Sequence, residues 1–177
     1  MCYNSNGRRR DENDTGMIFV ILGTQKFQMN RLLTAVDALA ADNVDLSFVA
    51  QTGLSDYIPK HYPYRRFFDR PLFDQHIADA EIIVTHGGVN SIITALRCEK
   101  PVIVCPRLAK YGEHVDDHQR EIASAFEKKG LVLVCGEGGD LAAAIAQCKN
   151  HTFAKYEMRT EHVTQIINNY LDRFEKS

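Results

Sequence analysis

The sequence predicts an α/β domain built on a parallel sheet with helices on both faces. Short aliphatic runs at residues 18–22, 46–51, 81–86, 101–105 and 131–134 have the length and flanks of buried strands. Amphipathic segments long enough for helices alternate with them, as parallel pairing requires. The chain has 177 residues, the size of one domain. A domain of this size buries about 70% of its unfolded surface and needs no disulfide or metal to hold it.

Taken in order, residues 1–16 are almost all polar and are expected to be a disordered leader, with folded sequence opening at Met17. The first strand ends at Gly23, and Leu32, Leu33, Val36 and Leu39 then recur at helical spacing. Asn43 and Asp45 mark the turn into strand 46–51. Gly53, Ser55, Asp56, Pro59 and Pro63 predict a loop, followed by a strand over 64–68. A short helix is expected over 72–80, capped by Asp69. After strand 81–86, Gly87 and Gly88 turn the chain into a helix ending near Glu99. Strand 101–105, a polar loop over 106–116 and a helix over 117–129 follow, with Gly130 suited to a left-handed helix end. Strand 131–134, a glycine turn at 136–139 and a helix over 141–148 complete the alternation. A last helix is expected over 156–175. Its Val163, Ile166, Ile167, Tyr170, Leu171 and Phe174 form one apolar stripe, which packs either on this domain or on a partner. Left uncovered, the stripe would make the isolated chain a homodimer.

Composition narrows the function. Lys and Arg total 21 against 23 Asp and Glu, for a net charge of -2. A general nucleic-acid binder would carry a basic excess, so no nucleic-acid partner is expected. No apolar run approaches the ~18 residues of a membrane span. Arg8, Arg9 and Arg10 lead into Asp11, Glu12, Asn13 and Asp14 rather than an apolar stretch, so they do not open a signal peptide. Five cysteines cannot all pair within the chain, and no C-x-x-C occurs. Reduced thiols in a cytoplasmic protein are the simple reading.

In an open parallel sheet, ligands bind beyond the C-terminal strand ends. Three unusual segments fall there: Gly23-Thr24-Gln25, residues 85–91 and residues 106–119. The first is neither G-x-G-x-x-G nor a P-loop. It reads either as a plain strand-to-helix turn or as a backbone approach to phosphate, with Thr24 donating. In the second, Gly87 and Gly88 free the backbone at a helix N-terminus, where unpaired N–H groups and the helix dipole attract an anion. Asn90 and Ser91 add side-chain donors, and His86 stands at the strand end. The plainer alternative makes Asn90 or Ser91 a helix cap and His86 a satisfied histidine. The third segment holds His114 and His118 four apart with carboxylates between, but it straddles a loop and a helix start, a poor frame for zinc. Asp117 as a cap, with His118 and Gln119 facing a ligand, fits better.

These residues resemble a known family. "ADAEIIVTHGGVNSIITALRCEKPVIVCPR", residues 78–107, is similar to the core motif in the C-terminal, donor-binding domain of family 28 glycosyltransferases, the MurG-like family. "MIFVILGTQ" from Met17 resembles their opening strand. "YGEHVDDHQ", residues 111–119, is similar to the small PssE/EpsE-type subunits of split exopolysaccharide or N-acetylglucosaminyl transferases. The resemblance implies a single Rossmann-like domain equivalent to the C-terminal half of a GT-B enzyme, with a nucleotide-sugar-binding domain over 17–150 and a C-terminal helix over 151–177. It implies a UDP-sugar as substrate with no cofactor or metal. Gly23 and Thr24 would lie near the diphosphate, with His86, Gly87, Gly88, Asn90 and Ser91 holding it. Phe68 and its neighbour Phe67 would meet the base through their backbone, and Asp117, His118 and Gln119 would face the sugar. Three residues after Ser91 the family generally carries Glu or Asp to grip the ribose; this chain has Thr94.

The resemblance thus implies a hexosyltransferase subunit, inverting, working in polysaccharide biosynthesis. Its membrane-associated partner would bind a lipid-linked acceptor and recruit the cytoplasmic chain to the inner face of the membrane. No catalytic base is assigned. A non-catalytic nucleotide-sugar-binding or scaffolding subunit is the alternative, with an epimerase-like protein as a weaker third reading.

Overall fold

A computed structural model describes residues 16–157. The leader expected over 1–16, apart from Gly16, lies outside the described residues, as does the C-terminal helix beyond residue 157. Residues 151–157, where that helix is expected to begin, carry no helix, and His151 leaves the preceding helix, Leu141–Asn150, in an extended conformation. Within the described residues the chain otherwise alternates as expected. The strands are β1 (Met17–Ile21), β2 (Ser47–Gln51), β3 (Tyr64–Arg65), β4 (Ile82–Thr85), β5 (Val102–Val104) and β6 (Leu133–Val134). The helices are α1 (Asn30–Asp42), α2 (Arg70–Asp79), α3 (Val89–Arg97), α4 (His118–Lys128) and α5 (Leu141–Asn150).

All six strands pair in parallel, in the order β3-β2-β1-β4-β5-β6. The chain winds outward from β1 to β3, then returns to β4 on the other side of β1. The strand order therefore reverses between β1 and β4, where Ile21 lies opposite Thr85. The loops that follow these two strands leave in opposite directions and open a crevice.

Successive residues of β1 feed opposite faces, as the two-residue period of a strand dictates. Ile18, Val20 and Leu22 pack with Leu33 and Val36 of α1 and Ile145 of α5. Phe19 and Ile21 pack with Ile77 of α2, Ile92 and Ala95 of α3, and Phe126 of α4. Asp69 caps α2 as predicted, its Oδ1 accepting from Leu72 N–H at 2.9 Å. Gly130 takes the left-handed conformation after α4, with φ of 68°.

One further expectation changes. The strand predicted over 64–68 pairs only at Tyr64 and Arg65. Beyond them Arg66 still accepts from Gly53 N–H at 3.0 Å, but Phe68 N–H turns to the Gln51 side chain at 3.1 Å. The loop predicted over 53–63 is present and is fastened to α1. Buried Asp37 accepts from the Tyr57 hydroxyl at 2.8 Å and from the Lys60 and His61 N–H groups at 2.9 Å. Asn30 Oδ1 accepts from the Asp56 and Tyr57 N–H groups at 3.1 Å. Burial opposes ionisation of Asp37, but these donors outweigh it and hold its carboxyl below the ordinary range.

Asp37→Ala strands three donors, so it is expected to cost about 3 kcal/mol in chemical denaturation. Asp37→Asn, which keeps an acceptor for the backbone N–H groups, should cost roughly half as much.

Candidate functional site

At the β1–β4 reversal a cavity of about 400 Å³ opens beyond the strand ends. Its wall includes Gly23, Thr24 and Gln25 after β1, His86 after β4, and Gly88, Asn90, Ser91 and Thr94 from the start of α3, with Gln119 from α4. The three segments singled out in the sequence thus converge.

The centre of the wall is the His86 ring, 4% exposed. Its Nδ1 lies 3.3 Å from both Gly23 N–H and Ile21 O. When Gly23 donates to Nδ1, the ring proton sits on Nε2. A side chain at Gly23 would begin 2.7 Å from His86 Cε1, and one at Gly88 would begin 2.4 Å from His86 Nε2. Both glycines are therefore needed to seat the ring. Gly87 has a different reason: its Cβ would fall 2.7 Å from the Gln119 backbone oxygen, so it lets the start of α4 approach.

Burial, aided by the nearby charge of Arg107, lowers the His86 pKa to about 4, so the ring is neutral at physiological pH. Arg107 is 1% exposed, and burial lowers its own pKa while the Glu113 charge opposes the shift. Its Nη2 donates to Phe27 O at 3.1 Å, and its N–H donates to Gln119 Oε1 at 3.3 Å.

Gly88 is the N-terminal flanking residue of α3, and no side chain caps that end. The N–H groups of Val89 and Asn90 are too early in the helix to have an intrahelical acceptor, so they carry the positive end of the dipole toward the cavity. Thr94 lines the same wall, its hydroxyl donating to Asn90 O at 2.7 Å.

The remaining sequence-predicted residues lie outside this wall. The Phe68 ring packs edge-on against Phe19 and His76, and its N–H reaches the site only through Gln51. Asp117 sits at the start of α4 but does not cap it; its Oδ1 accepts from Ala109 N–H at 2.9 Å and ties down the third loop. His114 and His118 both turn to Asp116, with nitrogens 2.9 and 3.5 Å from its carboxylate. Among the described residues no cluster of His, Cys, Asp and Glu has metal-binding form.

Sequence reasoning missed Gln51 and Phe73, which complete the wall. It also missed the frame behind it. Fully buried Glu113 accepts from Arg31 Nε at 3.1 Å, from Arg31 Nη2 at 3.0 Å and from Leu108 N–H at 3.0 Å, clamping the third loop to α1. The signal for Gln51 was a polar residue closing an aliphatic strand. Nothing in the sequence separated Glu113 from its charged neighbours.

His86 should mark the acid response. In the unfolded chain its pKa is near 6.5, while in the fold it is about 4. Its contribution to stability is therefore complete above pH 6.5 and lost as pH falls toward 4. The stability gap between wild type and His86→Gln is expected to narrow across that window by on the order of 3 kcal/mol, measured by denaturation at stepped pH.

Comparison with known proteins places this arrangement in a family. A model described as the glycosyltransferase family 28 C-terminal domain matches residues 17–173. The chain is 40% identical over 76 residues to the UDP-N-acetylglucosamine transferase subunit ALG13 of Eremothecium gossypii, covering 42% of this chain and 36% of that protein. It is 29% identical over 103 residues to the UDP-N-acetylglucosamine--N-acetylmuramyl-(pentapeptide) pyrophosphoryl-undecaprenol N-acetylglucosamine transferase of Opitutus terrae, covering 52% and 26%. The matched stretches thus span between a quarter and little more than a third of those relatives' length. In fold, the chain is similar to the solution structure of ALG13, with a TM-score of 0.55 at 18% identity over 85% of this chain and 94% of that one. A glycosyltransferase of kitacinnamycin gives a TM-score of 0.58 at 18% identity, over 80% and 36%. With a six-stranded parallel sheet among the described residues and a family match over residues 17–173, the chain belongs to glycosyltransferase family 28, as a C-terminal domain of the GT-B type.

Proposed function

We propose that the chain is the donor-binding subunit of a two-part glycosyltransferase that moves a sugar from a UDP-sugar to a lipid-linked acceptor in polysaccharide biosynthesis. The observation that carries this reading is the uncapped α3 N-terminus opening on the cavity at the β1–β4 reversal, beside a neutral His86. A diphosphate seated there meets the free N–H groups of Val89 and Asn90 and the Ser91 hydroxyl. Gly23 N–H, taken up by Nδ1, leaves Nε2–H of His86 to donate to a phosphate oxygen. As the bond from the anomeric carbon to the diphosphate breaks, negative charge grows on the leaving oxygen. Donors and a dipole already fixed in place stabilise that charge without a metal ion. Buried Arg107, whose charge already bears on His86, adds positive potential.

The acceptor site and the base belong, in this reading, to a membrane-associated partner. Among the described residues no helix is long and apolar enough to cross a membrane, which suits recruitment by that partner. Relatives named as transferase subunits support a split enzyme. Thr94 favours the second reading, a nucleotide-sugar-binding subunit without activity, because it supplies no carboxylate for the ribose. Sugar transfer from UDP-N-acetylglucosamine by the chain with its partner separates the two.

Calorimetry is expected to show UDP binding to the chain. Gly88→Val, which displaces the His86 ring, should weaken it about tenfold or more with the fold intact by circular dichroism; unchanged affinity would remove the site. Thr94→Glu should tighten UDP by about tenfold, the value of one charge-assisted hydrogen bond. If 2′-deoxy-UDP gains as much as UDP, position 94 does not face the ribose.

A further inference from the structure

We propose that Cys105 and Cys135 form a reversible dithiol oxidation site, closing to an intrachain disulfide when the chain meets a peroxide. The two residues directly follow β5 and β6, whose last paired residues are Val104 and Val134. Cys135 N–H donates to Val104 O at 2.9 Å, which continues the parallel ladder by one residue and sets Cys135 opposite Cys105. Neighbouring strands lie about 4.8 Å apart, inside the roughly 4.4–6.8 Å Cα separation that a disulfide spans. Both side chains leave on the same face of the sheet, into the same apolar cluster.

The pair is chemically unequal. The Cys105 thiol donates to Cys135, and Arg31 adds positive charge, which together lower the Cys135 thiol pKa against the opposing effect of burial. Cys105 is pushed up by the same bond and by burial. Cys135, the more exposed of the two and the acceptor of that bond, is the nucleophile and Cys105 the resolving thiol. Cys135 is 7% exposed and stands at the Gly136–Gly139 turn, where a side chain at Gly139 would begin 3.0 Å from its Sγ, so the bare glycine leaves space beside the sulfur. That turn gives a small oxidant its approach.

The steps balance with hydrogen peroxide as the oxidant. The Cys135 thiolate attacks one peroxide oxygen, the O–O bond breaks, and hydroxide leaves a sulfenic acid on Cys135. The Cys105 sulfur then attacks the Cys135 sulfur, expelling the sulfenic oxygen as water with the Cys105 proton. Two thiols are oxidised and one peroxide is reduced. A dithiol reductant reverses the change.

The test is thiol mapping of the full folded chain after equimolar peroxide. The expected result is loss of two of its five thiols, with Cys105 and Cys135 recovered as one linked peptide that dithiothreitol separates. Cys135→Ser should abolish the link and leave Cys105 reduced. The wild-type map does not depend on that variant folding. Both thiols remaining free while exposed Cys98 oxidises, or a link formed instead through Cys98 or Cys148, would overturn the proposal.

Discussion

The candidate site is organised around one buried imidazole. His86 closes β4 at the strand reversal, and its ring fills the gap between the loop after β1 and the start of α3. That gap exists because residues 23 and 88 carry no side chain. The ring in turn holds Gly23 N–H and faces Ile21 O, so two loops that never follow one another in sequence share one spacer. Neutrality is part of the arrangement: burial and the Arg107 charge both penalise a protonated ring. Under the proposed function, the positive end of α3 and the buried guanidinium attract the anion while the imidazole directs a hydrogen bond to it.

Around this spacer the structure is braced by polar groups that cross between elements. Glu113 draws Arg31 of α1 onto the third loop and takes Leu108 N–H as well. Asp117 holds Ala109, and Glu137 holds both Lys110 and the Tyr111 hydroxyl. On the other flank Asp37 and Asn30 fasten the strap of residues 55–61 to α1. The two buried carboxylates among them, Glu113 and Asp37, each meet several donors at once; a single partner would not offset the loss of water. Loops so fastened present the cavity in a formed state, which lowers the ordering cost of binding.

The period of hydrophobic residues determined most of the architecture by itself. Strands at β1, β2, β4 and β5, five helices and the parallel pairing follow from short aliphatic runs alternating with amphipathic segments, because only a sheet covered on both faces buries them all. Local chemistry also wrote the Asp69 cap and the left-handed Gly130, since both depend on neighbours within a few residues. The convergence of the three loops was legible too, as consequences of strand polarity. Tertiary structure decided what local pattern cannot carry. It gave Gly23 and Gly88 to the His86 ring and Gly87 to α4, three reasons that the glycines themselves do not distinguish. It gave Asp117 Oδ1 to Ala109 N–H rather than to the first turn of α4 and turned Phe68 toward Phe19, and it chose Gln51 and Phe73 for the cavity wall. Those assignments rest on contacts between residues far apart in the chain, and only the completed sheet fixes their distances.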